Sequence, residues 1–408
     1  MNPSTTLTAE TAGNTSAAVT FGSQSNGNAG LSNVSKVDTR TLLYSGATTR
    51  VYAHFMAWFG HSSHMDVGYT SSDPAQVSRQ VSDALSRGIS GFIEDWYGQN
   101  NAMPNATAFA LKAEAESRNG DFVFAIMEDG GALNHCNATA GCDLNGQMIT
   151  DLTYAYNNFE TSPAYMKIDG RPAVFFFDPD RFGTLDWQRI AANVPGNPLF
   201  IFQNSGGFTH SQSNGSISWV MIDTSDANDW SQSYLDSFYA AGMSHSPTHP
   251  FGATYKGFND TQASWSANRI VNQNCGQTWL STFSEIGKYY SAATQLESLQ
   301  LVTWNDYEEA TEIESGIDNC VAVSASISGN QLTWTVSGNE STIDHYVPFI
   351  SIDGENLMLL SEVQPGTHTL DLSSYHLAPG LYSVYVKAVG KPSFRNQMSN
   401  RAAFAAGS

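Results

Sequence analysis

Short apolar segments recur between residues 51 and 309, and each is continuous in hydrophobicity rather than alternating with polar positions. An uninterrupted apolar run is typical of a strand that is buried on both faces, as in a parallel sheet covered by helices. The pattern therefore predicts eight buried strands. The segments are VYAHFMAWF (51–59), GFIEDWYG (91–98), FVFAIMEDGG (122–131), AVFFFDPD (173–180), LFIFQNSGG (199–207), SWVMID (218–223), PFGATYKGF (250–258) and LQLVTWNDYEE (299–309).

The stretches between these segments carry helix signals. SSDPAQVSRQVSDALSRG begins with Asp73 as a cap and Pro74 at the first helical position, and Gly88 follows its apolar face as a stop. NATAFALKAEAESRNG repeats this scheme and closes on Gly120. Alternating strands and helices over residues 47–320 predict a (β/α)8 barrel of the TIM type. Because the fifth and sixth predicted strands are too close for a full crossover helix, an open doubly wound sheet is the alternative.

The pattern changes on both sides of this region. Residues 1–46 are rich in Ser, Thr, Asn, Gly and Ala, which predicts a disordered tail or linker. After Cys320 apolar and polar residues alternate between turns that contain Gly, Asn and Asp. This alternation predicts an antiparallel β-sandwich of fibronectin-like size over residues 321–408.

Composition narrows the classes of partner. The chain has 38 Asp and Glu against 18 Lys and Arg, a net charge of -20, so its surface repels nucleic acid and anionic lipid. No apolar run approaches the roughly 20 residues of a membrane helix. Abundant Ser, Thr, Asn, Gly, Trp and Tyr suit a secreted protein that binds a neutral polysaccharide or oligosaccharide. We expect a monomer without a cofactor.

The four cysteines form a close pair and a distant pair along the chain. An even number of cysteines without C-x-x-C spacing indicates two disulfides rather than a zinc site. Three pairings are compatible with the sequence. The preferred one joins Cys136 to Cys142 and Cys275 to Cys320.

The predicted strand ends are rich in acidic, aromatic and amide side chains. In a (β/α)8 barrel the active site lies at the C-terminal ends of the strands and in the loops that follow them. Carboxylates flanked by Trp and Tyr suit glycoside hydrolysis, because aromatic faces stack on sugar rings. The candidate substrate-binding residues are His54, Trp58, Glu94, Asp95, Trp96, Tyr97, Glu128, Asp129, Gln203, Asp223, Tyr255, Lys256, Trp304 and Asn305.

The segment LVTWNDYEEATEIESGIDNC (301–320) contains six carboxylates. Hydrolysis of a glycosidic bond needs one carboxylic acid to protonate the leaving oxygen and a second carboxylate as nucleophile or base. Asp306 and Glu309, three residues apart on one loop, are the predicted catalytic pair, with Glu309 as the acid. The later carboxylates are expected to form a solvated turn: Glu312, Glu314 and Asp318.

Metal binding is the alternative for two other polar clusters. Asp223, Asp226 and Asp229 offer oxygen ligands for calcium, but their spacing matches no EF-hand loop. His61 and His64 lack a third ligand at a convincing spacing for zinc. We therefore expect no metal site.

Two stretches, RVYAHFMAWF (50–59) and VTWNDYEEATEI (302–313), resemble motifs of glycoside hydrolase family 71, the endo-α-1,3-glucanases or mutanases. The first is similar to that family's opening strand, V-F-A-H-F/Y-M, and His54 matches its histidine. The second is similar to the motif W-N-D-Y-G-E-S, whose Asp and Glu are the proposed catalytic carboxylates and fall on Asp306 and Glu309. Asp95 is the nearest match to a further family aspartate.

The resemblance has departures. Glu308 stands where the motif has Gly, and GFIEDWYG (91–98) differs from the family's second strand, AFALN. The D-W-Y-G element is closer to family 99, the endo-α-mannosidases. The resemblance implies a secreted polysaccharide-degrading hydrolase that is endo-acting on α-1,3-glucan with inversion. A family-99-like α-mannan hydrolase and a non-catalytic carbohydrate-binding protein are the alternatives.

Overall fold

The computed structural model describes residues 33–223, 225–226 and 228–407. Within these ranges, no helix combines the length and apolarity that crossing a membrane requires. The first eleven strands are β1 (Arg50–Met56), β2 (Gly91–Trp96), β3 (Val123–Asp129), β4 (Lys167–Ile168), β5 (Arg171–Phe177), β6 (Leu199–Gln203), β7 (Gly215–Ile217), β8 (His249–Thr254), β9 (Phe258–Asn259), β10 (Ile270–Val271) and β11 (Ser298–Leu301).

Eight of these strands form a closed parallel barrel. Their order is β3-β2-β1-β11-β8-β7-β6-β5, and β5 pairs with β3 to complete the circle. β4 forms an antiparallel hairpin with β5, and β9 pairs with β10 in a separate small hairpin. The predicted (β/α)8 barrel is therefore confirmed, and the open sheet is wrong.

Helices connect most of the barrel strands. The connection from β6 to β7 is short, as the sequence indicated, and contains a 3₁₀ helix at Ser205–Thr209. The helices are α1 (Pro74–Ser86), α2 (Ala102–Ser117), α3 (Asn134–Ala138), α4 (Leu144–Ala155), α5 (Trp187–Asn193), α6 (Gln232–Ser244) and α7 (Gln277–Ile286). Asp73 caps α1 by accepting from the N–H of Ala75, with Pro74 at the helix start.

Two of the predicted strands are misplaced, because the segment 218–223 lies wholly beyond the observed strand and the segment 299–309 extends past it. The sixth barrel strand is Gly215–Ile217, and residues 218–223 follow it as a loop at the barrel rim. The eighth ends at Leu301, so the segment from Val302 to Glu309 lies beyond the strand. Both apolar runs continue past the strand because the rim residues, such as Trp219 and Val302, are themselves buried.

The N-terminal region is ordered earlier than predicted. Val34 forms a β-bridge with Arg395, and Asp38 caps a 3₁₀ helix at Thr39–Leu42. The Thr39 hydroxyl donates to the carbonyl of Arg87 at 2.8 Å. Small polar side chains of residues 34–42 thus form hydrogen bonds with backbone groups. The composition of this region does not show such contacts. Residues 1–32 of the predicted tail lie outside the described residues.

The C-terminal region forms two antiparallel sheets, as predicted for a β-sandwich. One has the order β12-β13-β16, and the other has β15-β14-β17-β18 with β19 also paired to β17. Side chains from both sheets, including Trp334 and Tyr346, form one buried cluster. The strands are β12 (Ala322–Ser328), β13 (Gln331–Ser337), β14 (Ile343–Ser351), β15 (Met358–Leu359), β16 (Thr369–Asp371), β17 (Gly380–Gly390), β18 (Gln397–Met398) and β19 (Ala402–Ala406).

The described chain divides into two compact units. Asp38–Gln273 and Thr278–Glu314 form the unit that contains the barrel, and Asn274–Gln277 belongs with Ser315–Ser408 and the residues up to Val37. The barrel unit therefore ends a few residues before the sequence boundary at 320. Both predicted disulfides are present, Cys136–Cys142 and Cys275–Cys320.

A fully buried arginine holds the segment that follows the last barrel strand. Arg87, at the C-terminal end of α1, donates through Nη1 to the carbonyl of Ile313 at 2.7 Å and through Nη2 to that of Glu314 at 2.9 Å. Its guanidinium lies over the Trp304 ring at 4.9 Å and forms an ion pair with Asp83. One side chain therefore contacts the acidic segment at two places, at Trp304 and at Ile313 and Glu314.

Substitution Arg87→Ala should lower the free energy of unfolding by about 3 kcal/mol, because it removes the donor to the Ile313 and Glu314 carbonyls and the ion pair with Asp83. Arg87→Lys should lose part of this, since an ammonium lacks the planar fork. Urea-induced unfolding followed by tryptophan fluorescence measures the effect. Arg189→Ala, which removes an exposed ion pair with Asp143, is the matched control and should leave the free energy of unfolding nearly unchanged, because solvent screens an exposed pair. Equal losses for Arg87→Ala and the control would contradict this role of Arg87.

Candidate active site

A cavity of about 890 Å³ lies at the C-terminal ends of the barrel strands. In a parallel barrel all strands end at the same rim, so side chains from distant parts of the sequence meet there. β1 contributes His54 and Met56, β2 contributes Asp95, and β3 contributes Asp129. The predicted residues that line the cavity are His54, Trp58, Asp95, Tyr97, Asp129, Gln203, Asp306 and Glu309.

Several predicted residues lie on the outer face of the barrel strands instead. Side chains alternate between the two faces of a strand, so the neighbours of the inward-pointing Asp95 and Asp129 point toward the helices. Trp96 stacks on Tyr154 of α4, and Trp304 packs under the guanidinium of Arg87. This alternation removes three residues from the cavity, Glu94, Trp96 and Glu128, whereas Trp304 lies beyond β11 and is buried there. The expected sugar-stacking roles of the two tryptophans are therefore wrong.

Four other predicted residues are not among the residues that line the cavity. Asn305 clamps the backbone of Met56, with Oδ1 accepting from its N–H at 2.8 Å and Nδ2 donating to its carbonyl at 3.0 Å. Asp223 accepts from the backbone N–H and the hydroxyl of Ser225 in a local turn. Tyr255 is fully buried. The fourth, Lys256, is buried in an ion pair.

The second half of the acidic segment is not a solvated turn. Glu312 pairs with Lys256 at 2.7 Å, and their side chains are 13% and 4% exposed. Glu314 accepts from the hydroxyls of Tyr69 at 2.9 Å and Tyr307 at 3.0 Å. Other side chains of the barrel unit thus bind the carboxylates of Glu312 and Glu314. Of the three carboxylates that were expected in a solvated turn, Asp318 alone is exposed.

Four carboxyl groups meet in the cavity: Asp95, Asp129, Asp306 and Glu309. Burial raises the pKa of each of them. The pKa of Asp95 is raised further by the charges of Asp129, Asp306 and Glu309. Because like charges in a desolvated site cannot all ionise together, the group is expected to retain protons at a pH where isolated carboxyls have lost them.

Asp306 is held by the backbone of its own turn. Its N–H donates to the Thr303 hydroxyl at 2.8 Å, and its Oδ1 accepts from the N–H groups of Glu308 at 3.0 Å and Glu309 at 2.9 Å. Oδ2 is buried without a hydrogen-bond partner among the described residues. Desolvation raises the pKa of Asp306 well above the ordinary value. A protonated Asp306 can therefore donate from Oδ2 to a ligand in the cavity.

Glu309 has a different environment. Its Oε1 accepts from Trp265 Nε1 at 3.2 Å. Burial raises the pKa of Glu309, but the Trp265 hydrogen bond and the charge of Arg269 act in the opposite direction. Two carboxyls three residues apart thus differ in how strongly they hold a proton, which is the condition for separate acid and base roles.

Tyr97 joins the other two carboxyls. Its hydroxyl interacts with both Asp95 and Asp129 and lowers the pKa of each against the larger effect of burial. Gly131 makes room for this arrangement, since a Cβ there would lie 2.9 Å from the Tyr97 ring and 2.8 Å from Asp129 Oδ1. Asp129 Oδ1 also accepts from the Gly131 N–H.

His54 is a neutral imidazole at the cavity wall. Desolvation lowers its pKa to about 3. The ring packs edge-on against Trp219 with centroids 4.7 Å apart, and Nδ1 is a buried atom for which the described chain supplies no hydrogen-bond partner. A neutral imidazole suits hydrogen bonding to a hydroxyl group of a ligand.

The loop residues that form part of the cavity wall were not predicted from the sequence. Trp219 follows β7, and Trp265 and Arg269 come from the loop between β9 and β10. His64 and Arg181 also line the cavity. The available signal was an isolated Trp in the polar stretch DTQASWSANR (260–269), which has no apolar periodicity to place it near the barrel.

Metal coordination has little support in this part of the molecule. Over residues 33–223, 225–226 and 228–407, no group of three or more His, Cys, Asp or Glu side chains is placed to hold a metal ion. The cavity carboxyls instead interact with Tyr97, Trp265 and backbone N–H groups.

Comparison with solved structures shows the fold. The family 99 endo-α-mannosidase from Bacteriodes thetaiotaomicron, in complex with Bis-Tris propane, matches with a TM-score of 0.50 at 14% identity, over 66% of this chain and 87% of that chain. A glycoside hydrolase-like protein matches over the same shares at 16% identity with a TM-score of 0.47. No protein-family model and no curated protein matches the chain. The match to the endo-α-mannosidase structure thus shows a shared fold at low sequence identity, and the comparisons do not show family 71.

Stability should fall as pH rises through the range in which Asp129 titrates. Burial raises its pKa from 3.8 to about 6, so the folded protein binds its proton more tightly than the unfolded chain does. The resulting stabilisation is complete below about pH 4 and is lost as pH passes 6, by about 3 kcal/mol at most.

Asp129→Asn should therefore reduce the loss of unfolding free energy between pH 4 and pH 7, while its amide oxygen still accepts from Gly131. Chemical denaturation at the two pH values measures this difference. Asp121→Asn is the control, because that side chain is exposed and should leave the pH dependence unchanged. An Asp129→Asn protein with the pH dependence of the wild type would contradict the raised pKa.

Proposed function

We propose that this protein is a secreted glycoside hydrolase that cleaves an α-linked polysaccharide in the barrel cavity. The observation that carries the proposal is the pairing of Asp306 and Glu309, two carboxyls in different environments, inside a cavity walled by aromatic residues. Hydrolysis of a glycosidic bond needs one carboxyl group as acid and a second as base or nucleophile. Aromatic faces beside them can stack on the sugar rings. The closed barrel places both groups at the rim where such sites occur.

In this mechanism Asp306 is the general acid. Its Oδ1 accepts from two backbone N–H groups, and its buried Oδ2 has no hydrogen-bond partner among the described residues, so Oδ2 is the oxygen that carries the proton for the leaving group. Glu309, stabilised in its ionised form by Trp265 and Arg269, is the base that activates water. This assignment reverses the expectation from sequence, which made Glu309 the acid. The difference comes from the greater desolvation of Asp306.

The other cavity residues position the sugar. His54 offers a neutral ring nitrogen, and the Asp95–Tyr97–Asp129 cluster offers hydrogen-bond partners for sugar hydroxyls. Gln203 lines the same cavity. These groups are uncharged or share protons, which suits a neutral substrate better than an anionic one. Two disulfides are compatible with an oxidising extracellular location.

The proposed substrate is α-1,3-glucan, cleaved internally with inversion. Support for this linkage comes from the similarity of residues 50–59 and 302–313 to the family 71 motifs. The second candidate is an α-mannan, and two observations favour it. They are the D-W-Y-G element at Asp95–Gly98 and the match to the endo-α-mannosidase structure.

Asp306→Asn and Glu309→Gln should each lower kcat by at least about 100-fold, because each removes a proton-transfer group. Reducing-end release from the glycan that the wild type cleaves measures this loss. Asp318→Asn is the matched control, since Asp318 is an exposed carboxylate of the same acidic segment. Full activity in both Asp306→Asn and Glu309→Gln would show that the catalytic pair lies elsewhere.

A panel of α-1,3-glucan, dextran and α-mannan should give reducing-end release from α-1,3-glucan alone. Proton NMR of the first product formed should show the β-anomer, as inversion of an α-linkage requires. Release from α-mannan instead would select the second candidate. Binding to one of these glycans without cleavage would identify a non-catalytic carbohydrate-binding protein.

A further inference from the structure

The loop between β9 and β10 brings an exposed tryptophan to the cavity. Trp265 is 42% exposed and lines the cavity wall. Its indole N–H donates to Glu309 Oε1 at 3.2 Å, which places the ring beside the proposed base. Its ring also lies edge-on to Trp58, with centroids 5.9 Å apart. Because the Trp265 indole is held through the N–H at its edge, a face of this large apolar ring remains available to a ligand.

The loop that carries Trp265 is held by one buried carboxylate. Asp260 accepts from the N–H of Ala267 at 3.1 Å and from the N–H and Nε of Arg269, both at 2.8 Å. The Arg269 guanidinium also lies over the Phe258 ring at 5.1 Å. These contacts close the loop on itself, so Trp265 is held in place although its side chain is exposed.

Beside Trp265, a histidine is oriented by a carboxylate to which the proposed mechanism assigns no proton transfer. Glu308 is buried, and its Oε2 lies 2.9 Å from His64 Nδ1 while its Oε1 accepts from the Met65 N–H at 2.8 Å. The His64 ring stacks on Trp58 at 4.8 Å with an interplanar angle of 11°, and lies 6.2 Å from Trp265. Both oxygens of Glu308 are thus used to fix this loop.

The Glu308 contact also determines what His64 can offer a ligand. A carboxylate only accepts, so His64 Nδ1 carries the hydrogen of this bond. In the neutral ring Nε2 is then an acceptor. His64 lines the cavity, so this nitrogen can accept from a hydroxyl group of a bound molecule.

We propose that Trp265 and His64 form a sugar-binding subsite adjoining Glu309, and that Glu308 is its positioning residue. The Trp265 face stacks on the apolar face of a pyranose ring, and His64 Nε2 accepts from one of its hydroxyls. Together they select a neutral, hydroxyl-bearing ring next to the bond to be cleaved. This inference rests on the proposed function, because it assigns the subsite to the same substrate.

The test measures binding and catalysis separately. Isothermal titration calorimetry with α-1,3-linked glucose oligosaccharides and α-mannan oligosaccharides gives the dissociation constant for each variant. Trp265→Ala should weaken binding by about 3- to 10-fold, the typical value of an aromatic contact. Trp265→Phe keeps a ring face, so binding should stay within about 3-fold while kcat falls, because Glu309 loses its indole donor.

His64→Ala and Glu308→Gln should each raise KM by about 3- to 10-fold with a smaller change in kcat. If Glu308 acts through His64, the double variant should bind no more weakly than His64→Ala alone. Phe109→Ala is the control, since Phe109 is 40% exposed and lies outside the cavity. Its affinity should equal that of the wild type. Thermal melting checks that each variant is folded.

The outcomes separate the two proposals. Binding without cleavage by the wild type would overturn the proposed function, and the subsite would still be judged by the affinities of Trp265→Ala and His64→Ala. Wild-type affinity in folded Trp265→Ala, or in His64→Ala, would overturn the subsite. So would a wild type that binds none of the oligosaccharides. Cleavage together with weakened binding in both variants would support both proposals.

Discussion

The site depends on the closure of the barrel by a short parallel pairing. β3 and β5 meet over three residue pairs, Met127–Phe175, Glu128–Phe176 and Asp129–Phe177. With this contact the sheet has no free edge, and the ends of β1, β2, β3 and β11 share one rim. Groups that lie more than two hundred residues apart, such as Asp95 and Asp306, then influence each other's ionisation. An open sheet would spread the same residues along a line.

The second constraint is the cost of collecting carboxyl groups in a dry cavity. A buried carboxylate without compensation is expensive, and the chain reduces that cost in three ways. Backbone N–H groups bind Asp306, the Tyr97 hydroxyl interacts with Asp95 and Asp129, and Trp265 donates to Glu309. The part of the desolvation cost that these contacts do not offset raises the pKa values of the cavity carboxyls. The same physics that destabilises the fold at higher pH gives the site a proton to transfer.

Much of the fold could be predicted from sequence, because buried parallel strands leave long apolar runs and α1 has a clear cap and proline start. The β-sandwich was equally predictable, since alternation of polar and apolar residues indicates a sheet with one buried face. The candidate site was only partly predictable. Position at a strand end identified Asp95, Asp129, Asp306 and Glu309, but it also included Glu94, Trp96 and Glu128. A one-residue change along a strand turns the side chain to the opposite face, and the ends of the apolar runs did not define that register.

By itself the sequence determined the order of elements and the acidic segment after the eighth strand, because these follow from local patterns. It indicated two disulfides from the even number of cysteines, but it left three pairings open. The tertiary structure alone decided which of the six carboxylates in the acidic segment face the cavity. Glu312 and Glu314 are paired with Lys256, Tyr69 and Tyr307, and Glu308 is paired with His64. Trp265 and Trp219 reach the cavity from loops without any periodic signal. The physical reason is that ionisation and exposure depend on neighbours in space, and those neighbours are brought together only when the barrel closes.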